Sequence, residues 1–434
     1  MLTHLRLPAT AKRSRRIGIM LCLIVASAAF SGCTSGHSPS SAAHSRSSAR
    51  SRDGQPATTV RARQSGRVVK HWGSFFGAQA GNFDIQTSPV AVTLPGAVRE
   101  VGSSNSTEYA LLTDGSLYAW GMGNRGQLGN GGSANSFNQA VQVHFPPGVQ
   151  IAWIPTDAMP FDAGLAVDTR GRVWGWGSDR WGDFCLGNTR SYATPKRLPL
   201  PHVTALAGAS NHVLYDSRGV VYACGQNVDG DLGIGSFRST TTPVRVHGLA
   251  PSSVTELVAS FANSGALLSD GEYLDWGFNG GGQLGDGHRR GKSDVPVRVH
   301  LSHRVVEVAL GGSIWVNGQT LVKLSDGSLW AWGNNRHHQL GGGSRLLQPR
   351  PIRFYAPAGV TYVSLATGSA TSYGISSTGA VYAWGASQLG QVGDHLRVTA
   401  RRPTLVARNA TQISSTANNV VISTGASNPG GAPG

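Results

Sequence analysis

A Trp-Gly pair returns along most of the chain, at Trp72, Trp120, Trp176, Trp276, Trp332 and Trp384, and Cys224-Gly225 stands where another is due. Successive positions lie 48, 56, 48, 52, 56 and 52 residues apart. A period of this size means that one supersecondary unit is repeated seven times. Such units cannot bury an apolar face alone and must stack on one another.

The clearest unit reads Thr113-Asp114-Gly115-Ser116-Leu117-Tyr118-Ala119-Trp120-Gly121, then Gly126-Gln127-Leu128-Gly129. It is echoed at Ser325–Gly333, at Gly379–Gly385 and in the loops Gly230-Asp231-Leu232-Gly233, Gly282-Gln283-Leu284-Gly285 and Gly390-Gln391-Val392-Gly393. Asp-Gly between two apolar stretches signals a β-hairpin, whose type I′ turn needs positive φ. The alternation in Leu117-Tyr118-Ala119-Trp120 marks a strand with two different faces. A Val/Leu-x-x-Val/Leu stretch precedes most hairpins, as at Val305–Val308, and a Pro-x-x-Val-type strand follows the Gln-Leu-Gly loop, as at Pro243–Val246. Four short strands per unit, seven times, predict an all-β, seven-bladed β-propeller over residues 67–424. The last unit supplies only two strands, Ala410–Ile413 and Val420–Thr424, while Arg67–Gly73 and Pro89–Thr93 are surplus at the other end. Joined, they make one blade, a two-plus-two clasp that closes the ring and removes its edges. The second unit, around residues 150–165, is the most degenerate.

The formal charge of +15 would suggest a nucleic-acid binder if it lay on the repeats. It does not: residues 1–70 carry 12 Lys/Arg and one acid, leaving the body nearly neutral. No nucleic-acid partner is expected. Residues 1–33 read as a bacterial lipoprotein signal peptide. Lys12, Arg13, Arg15 and Arg16 precede an apolar run of 14 residues from Ile17 to Phe30, too short to span a bilayer comfortably. Phe30-Ser31-Gly32-Cys33 then resembles a lipobox, which makes Cys33 the lipidation site and the membrane anchor. Residues 34–66, rich in Ser and Arg, have too little apolar surface to offset ordering entropy and are expected to be a disordered linker, as is the tail 425–434.

The motif Asp-Gly-x-Leu-Tyr-Ala-Trp-Gly followed by Gly-Gln-Leu-Gly resembles the regulator of chromosome condensation (RCC1-type) repeat family, over essentially all of residues 67–424. The resemblance implies the propeller fold. Function does not follow from it: the founding member exchanges nucleotide on a small nuclear GTPase, other relatives are interaction platforms, and one secreted actinobacterial propeller inhibits class A β-lactamases. The motif residues carry no activity in this reading; Gly serves turns, Trp and Leu pack between blades, and Gln bonds loop backbone.

No phosphate loop, nucleophile elbow or zinc-helix motif is present, and no cofactor or metal is expected. Asp229-Gly230-Asp231 has too few carboxylates for a calcium loop, and His337-His338 reads as a variant of the spacer before Gln-Leu-Gly. His212 is the one titratable candidate for chemistry in a central channel, and a structural role is the better reading. Cys224 stands at a Trp position, where a small buried thiol would serve as filler, so a free thiol is favoured over a disulfide with Cys185. The Gln-Leu-Gly loops and the strands they lead into should emerge at one end of the ring with Arg238, Arg289, Arg290, Lys292, Arg336, Arg345, Arg350, Arg397, Arg401 and Arg402. The opposite end would present Asp114, Asp216, Asp270 and Asp326. The expectation is a non-enzymatic, monomeric binding or scaffold propeller on the outer surface of the cytoplasmic membrane, with a basic end for an acidic protein or an anionic envelope polymer. The alternatives are an enzyme inhibitor, as of a class A β-lactamase, and guanine-nucleotide exchange by resemblance alone.

Overall fold

The computed structural model describes residues 68–75, 85–156, 159–261, 263–289, 291–313, 316–344 and 346–425. The expected signal segment with Cys33, the expected linker, Arg290 and Arg345 lie outside the described residues, as do residues 426–434.

Seven four-stranded antiparallel sheets follow one another. Blade 1 shows the plan: an inner strand Val98–Ser103, a second strand Thr107–Leu112, the Trp-Gly strand Leu117–Gly121 and an outer strand Ser136–Gln142. Blades 2 to 6 repeat it over residues 151–197, 203–245, 254–298, 305–354 and 362–407. The weak second unit still forms a blade, but its inner strand shrinks to Ile151–Trp153. The seventh blade is the predicted clasp. Val68–Gly73 pairs with Asn419–Thr424 from Val68↔Thr424 to Gly73↔Asn419, with Gln86–Val92 outside and Ala410–Thr416 inside.

The hairpin turns differ from the type I′ expectation in the clearest units. Only Gly115 has positive φ there, and Gly115 N–H and Leu112 N–H bond to the carbonyls of Leu112 and Ser116. This is a three-residue loop closed by a left-handed glycine. The Asp114 carboxylate accepts from Ser116 N–H and Oγ–H, tying down the turn that a type I′ geometry would have left open. A two-residue turn with both φ values positive occurs at Arg218-Gly219.

Between blades, the six Trp side chains are fully buried. Five indoles donate to the carbonyl of the motif's second residue in the preceding blade: Trp176 to Gln127, Trp276 to Asp231, Trp332 to Gln283, Trp384 to Gln339 and Trp72 to Gln391, at 2.7–2.9 Å. For Trp120 the corresponding loop of the preceding blade lies outside the described residues, and its indole donates to the Glu108 carboxylate at 2.7 Å. Burying an indole while satisfying its N–H makes each Trp both a packing wedge and a register pin. The last residue of the motif must let the indole approach. At Gly129, with φ +66°, an added Cβ would lie 2.8 Å from Trp176 Nε1, so any side chain meets both backbone strain and a clash.

Candidate interaction face

The chain direction defines two ends of each blade. The "hairpin end" carries the turns after the second strands; the "loop end" carries the Gln-Leu-Gly loops. At the loop end the motif is spent on its own architecture. Gln127, Gln283, Gln339 and Gln391 each accept, through Oε1, the backbone N–H two residues earlier. A further position, three residues after Trp or Cys, was not singled out from the sequence. Asp179, Asn227, Asn279, Asn335 and Ser387 stand there, and each accepts the N–H of the residue after the Gln or Asp. The signal was present as a recurring Asn, Asp or Ser at fixed spacing. His338 takes the left-handed conformation of the first motif glycine, φ +62°, which fits the spacer reading of His337-His338.

The free-thiol expectation for Cys224 is wrong: Cys185 and Cys224 form a disulfide with Cα atoms 5.7 Å apart. Gly182-Asp183-Phe184-Cys185 occupies the place of Gly-Gln-Leu-Gly, so Cys185 replaces the left-handed glycine and itself has φ +58°. Cys224 replaces the Trp that packs on that glycine in other blade pairs. The Gly–Trp contact between blades 2 and 3 is thus exchanged for a covalent one, at a separation the contact itself had already set.

In blades 2 and 3 the motif Gln is an Asp, one methylene shorter. Both Asp231 oxygens and Asp183 Oδ1 are buried without a hydrogen-bond partner. Burial pushes both carboxyls well above their ordinary range. Asp179, beside Asp183, is pushed up to about 7 by the same cause. Glu108, within 3.5 Å of His71, is also raised by burial. Burying a carboxylate disfavours its charge, which pushes all four acids toward the neutral form. His212 does not line the channel. It opens the second strand of blade 3, fully buried, with Nε2 2.7 Å from Ser264 Oγ and Nδ1 3.0 Å from Asn211 Oδ1. Burial lowers its pKa to about 3, so it is a neutral inter-blade strut. Small hydroxyls meet between the inner strands of blades 1 and 7, with Ser103 Oγ 2.9 Å from Ser414 Oγ, both buried. Among the described residues, no group of three or more His, Cys, Asp or Glu could hold a metal.

The basic residues gather at the loop end. Arg238, Arg289, Arg336 and Arg397 lie in loops there, and Lys292, Arg350, Arg401 and Arg402 lie in the first half of outer strands. All eight are exposed. Lys292 Nζ sits 4.0 Å from Asp229 and 4.5 Å from the centre of the Phe237 ring; Arg397 Nε donates to the Gln388 carbonyl. The hairpin end is not simply acidic. Asp216 is buried, accepting from Thr204 and from Gly219 N–H, and Arg170, Arg218 and Arg304 are exposed beside Asp114, Asp270 and Asp326. The ends differ in the state of their acids. Asp114 and Asp326 are held below the usual carboxylate range by bonds from Ser116 and Ser328, whereas Asp183 and Asp231 at the loop end are driven toward neutrality.

Comparison with known proteins agrees with this architecture. A model of the regulator of chromosome condensation (RCC1) repeat matches residues 114–159, 218–260, 270–316 and 326–373. The human E3 ubiquitin-protein ligase HERC2 is 29% identical over 296 residues, covering 65% of this chain but only 6% of that protein. The ultraviolet-B receptor UVR8 of Arabidopsis thaliana is 26% identical over 340 residues, covering 76% of this chain and 75% of the receptor. Among solved structures, Prp20p from Saccharomyces cerevisiae superposes with TM-score 0.70 at 21% identity, over 83% of this chain and 91% of that one. Human WBSCR16 does so with TM-score 0.72 at 18% identity, over 83% and 100%. The chain thus carries four stretches matched by the RCC1 repeat model and shares the seven-bladed propeller fold of these structures.

Proposed function

We propose that the protein is a non-enzymatic binding module, exported and lipid-anchored through Cys33, that presents the loop end of its propeller to a macromolecular partner. The observation that carries this reading is the charge at that end: exposed arginines stand over acids withdrawn into the interior and neutralised by burial. Such an end projects a positive field that Asp229, Asp286, Asp294 and Asp394 offset only in part. Two further features agree. A disulfide between blades suits an oxidising compartment outside the cytoplasm. Val68 and Thr424 pair at the hairpin end, so the described ring begins and ends away from the loop end. A binding rather than catalytic role is supported by the motif glutamines, whose side chains bond to loop backbone.

Metabolic labelling with an alkynyl fatty acid tests the anchor: the full-length protein takes the label and sediments with membranes, and Cys33→Ser does neither. Unlabelled wild-type protein in the cytosolic fraction refutes export. For binding, the immobilised full chain retains a discrete envelope component at low salt and releases it at high salt; retention of nothing at either salt refutes the module.

A further inference from the structure

We propose that the loop end from blade 3 to blade 5 docks an acidic segment of another protein, one that carries an apolar side chain among its carboxylates. The inference rests on the reading of the loop end as the binding face and narrows it to one surface and one partner chemistry.

The segment around residues 287–292 makes this surface continuous across three blades. At one side, Gly287 N–H bonds to the Pro349 carbonyl of blade 5, and an added Cβ at Gly287 would lie 2.9 Å from Arg350 Nε. At the other, Lys292 reaches blade 3, where its ammonium lies over the Phe237 ring and bonds to the Val228 carbonyl. Beside the contact between blades 4 and 5 lies a cleft of about 650 Å³, lined by Gly280, Gly287, His288, Arg289 and Leu347. Gly280 and Gly287, two of these five, let a visiting chain come close to backbone.

Two kinds of group meet there. Arg238, Arg289 and Arg350 are exposed cations. Phe237 is 43% exposed, Val228 48% and Leu346 67%, so apolar side chains stand open among the charges. The local acids answer only part of the basicity. Asp229 faces Lys292, Asp286 accepts from Asn279 Nδ2 and His288 N–H, Asp294 is half-buried, and Asp231 lies inside. A polyanion such as a polyphosphate would be attracted by the cations alone and has no use for an open Phe and Leu. Aromatic and apolar anchors beside arginine are the composition of a protein interface. An acidic segment with one apolar anchor matches both sets.

The test uses the full chain in detergent and three fluorescent probes of equal length: a peptide alternating Glu and Leu, the same with Ser for Leu, and polyphosphate. At low salt the Glu/Leu peptide binds tightest. Its affinity falls about tenfold in the double variant Arg289→Glu/Arg350→Glu and severalfold in Leu347→Ser, as lost charge complementarity and a lost apolar contact require. Arg170→Glu/Arg218→Glu at the hairpin end leaves it unchanged. Equal binding of all three probes, no binding, or indifference to Leu347→Ser overturns the proposal. Loss of binding in Arg397→Glu/Arg401→Glu but not in Arg289→Glu/Arg350→Glu would overturn this location while keeping the loop end as the binding face. Indifference to both pairs overturns both. Thermal melts of each variant show that the ring is intact.

Discussion

Reduction of the Cys185–Cys224 bridge should destabilise the ring by a predictable amount. The bridge closes a loop of 39 residues. The chain-entropy relation gives an unfolded-state restriction of about 13 cal/mol/K for such a loop, or ~4 kcal/mol at 25 °C. Both sulfurs are buried, Cys224 completely, and the bridge stands where a Gly–Trp contact links five other pairs of blades. With an unfolding entropy of about 2.1 cal/mol/K per residue, a ring running from Val68 to Thr424 converts ~4 kcal/mol into a fall in Tm of about 5 °C. Calorimetry with and without dithiothreitol reads this directly. The wild type drops on reduction to the Tm of Cys224→Ala, and the variant ignores the reductant. The double variant Cys185→Gly/Cys224→Trp restores the pairing used by the other blades, so it should recover most of the loss and melt identically in both buffers. An unchanged Tm after thiol titration has shown both cysteines reduced would refute the reasoning, since the crosslink would then contribute nothing.

Asp231→Gln should stabilise, because a Gln amide reaches the Asp229 N–H as Gln127 reaches that of Arg125 and carries no charge. The sign in pH follows from the raised carboxyl. The folded state keeps its proton while the unfolded state loses it above about pH 4, so wild-type stability falls as pH rises through the native pKa. The gain should be about 1 kcal/mol at pH 5 and larger at pH 8; equal Tm gains at both pH values would refute it. Deleting residues 410–425 leaves Val68–Gly73 without its partner strand, and it should replace the cooperative melt by a broad, low-temperature transition with dye binding; a sharp, native-like melt would show that the clasp is dispensable.

Most of the fold was legible because its determinants are local. Asp-Gly turns, alternating apolar positions and a Trp every 50 residues or so specify strands, hairpins and the wedges between them, wherever the units end up in space. The clasp followed from counting strands at both ends. The disulfide did not follow, although Cys185 sits in a glycine place and Cys224 in a Trp place. That those two places touch is a fact about neighbouring blades, learned from Gly129 against Trp176. The turn type escaped because loop length depends on how the second strand ends, and His212 was assigned to the channel because the sequence does not say on which strand of a blade a residue falls. Local patterning by itself determined the number of blades and the order of strands within them. Which acids keep their charge was decided only by the tertiary structure. Asp114 and Asp231 are the same residue type beside a glycine, but one lies in a solvated turn that hydrogen-bonds its carboxylate and the other is stripped of water by the next blade.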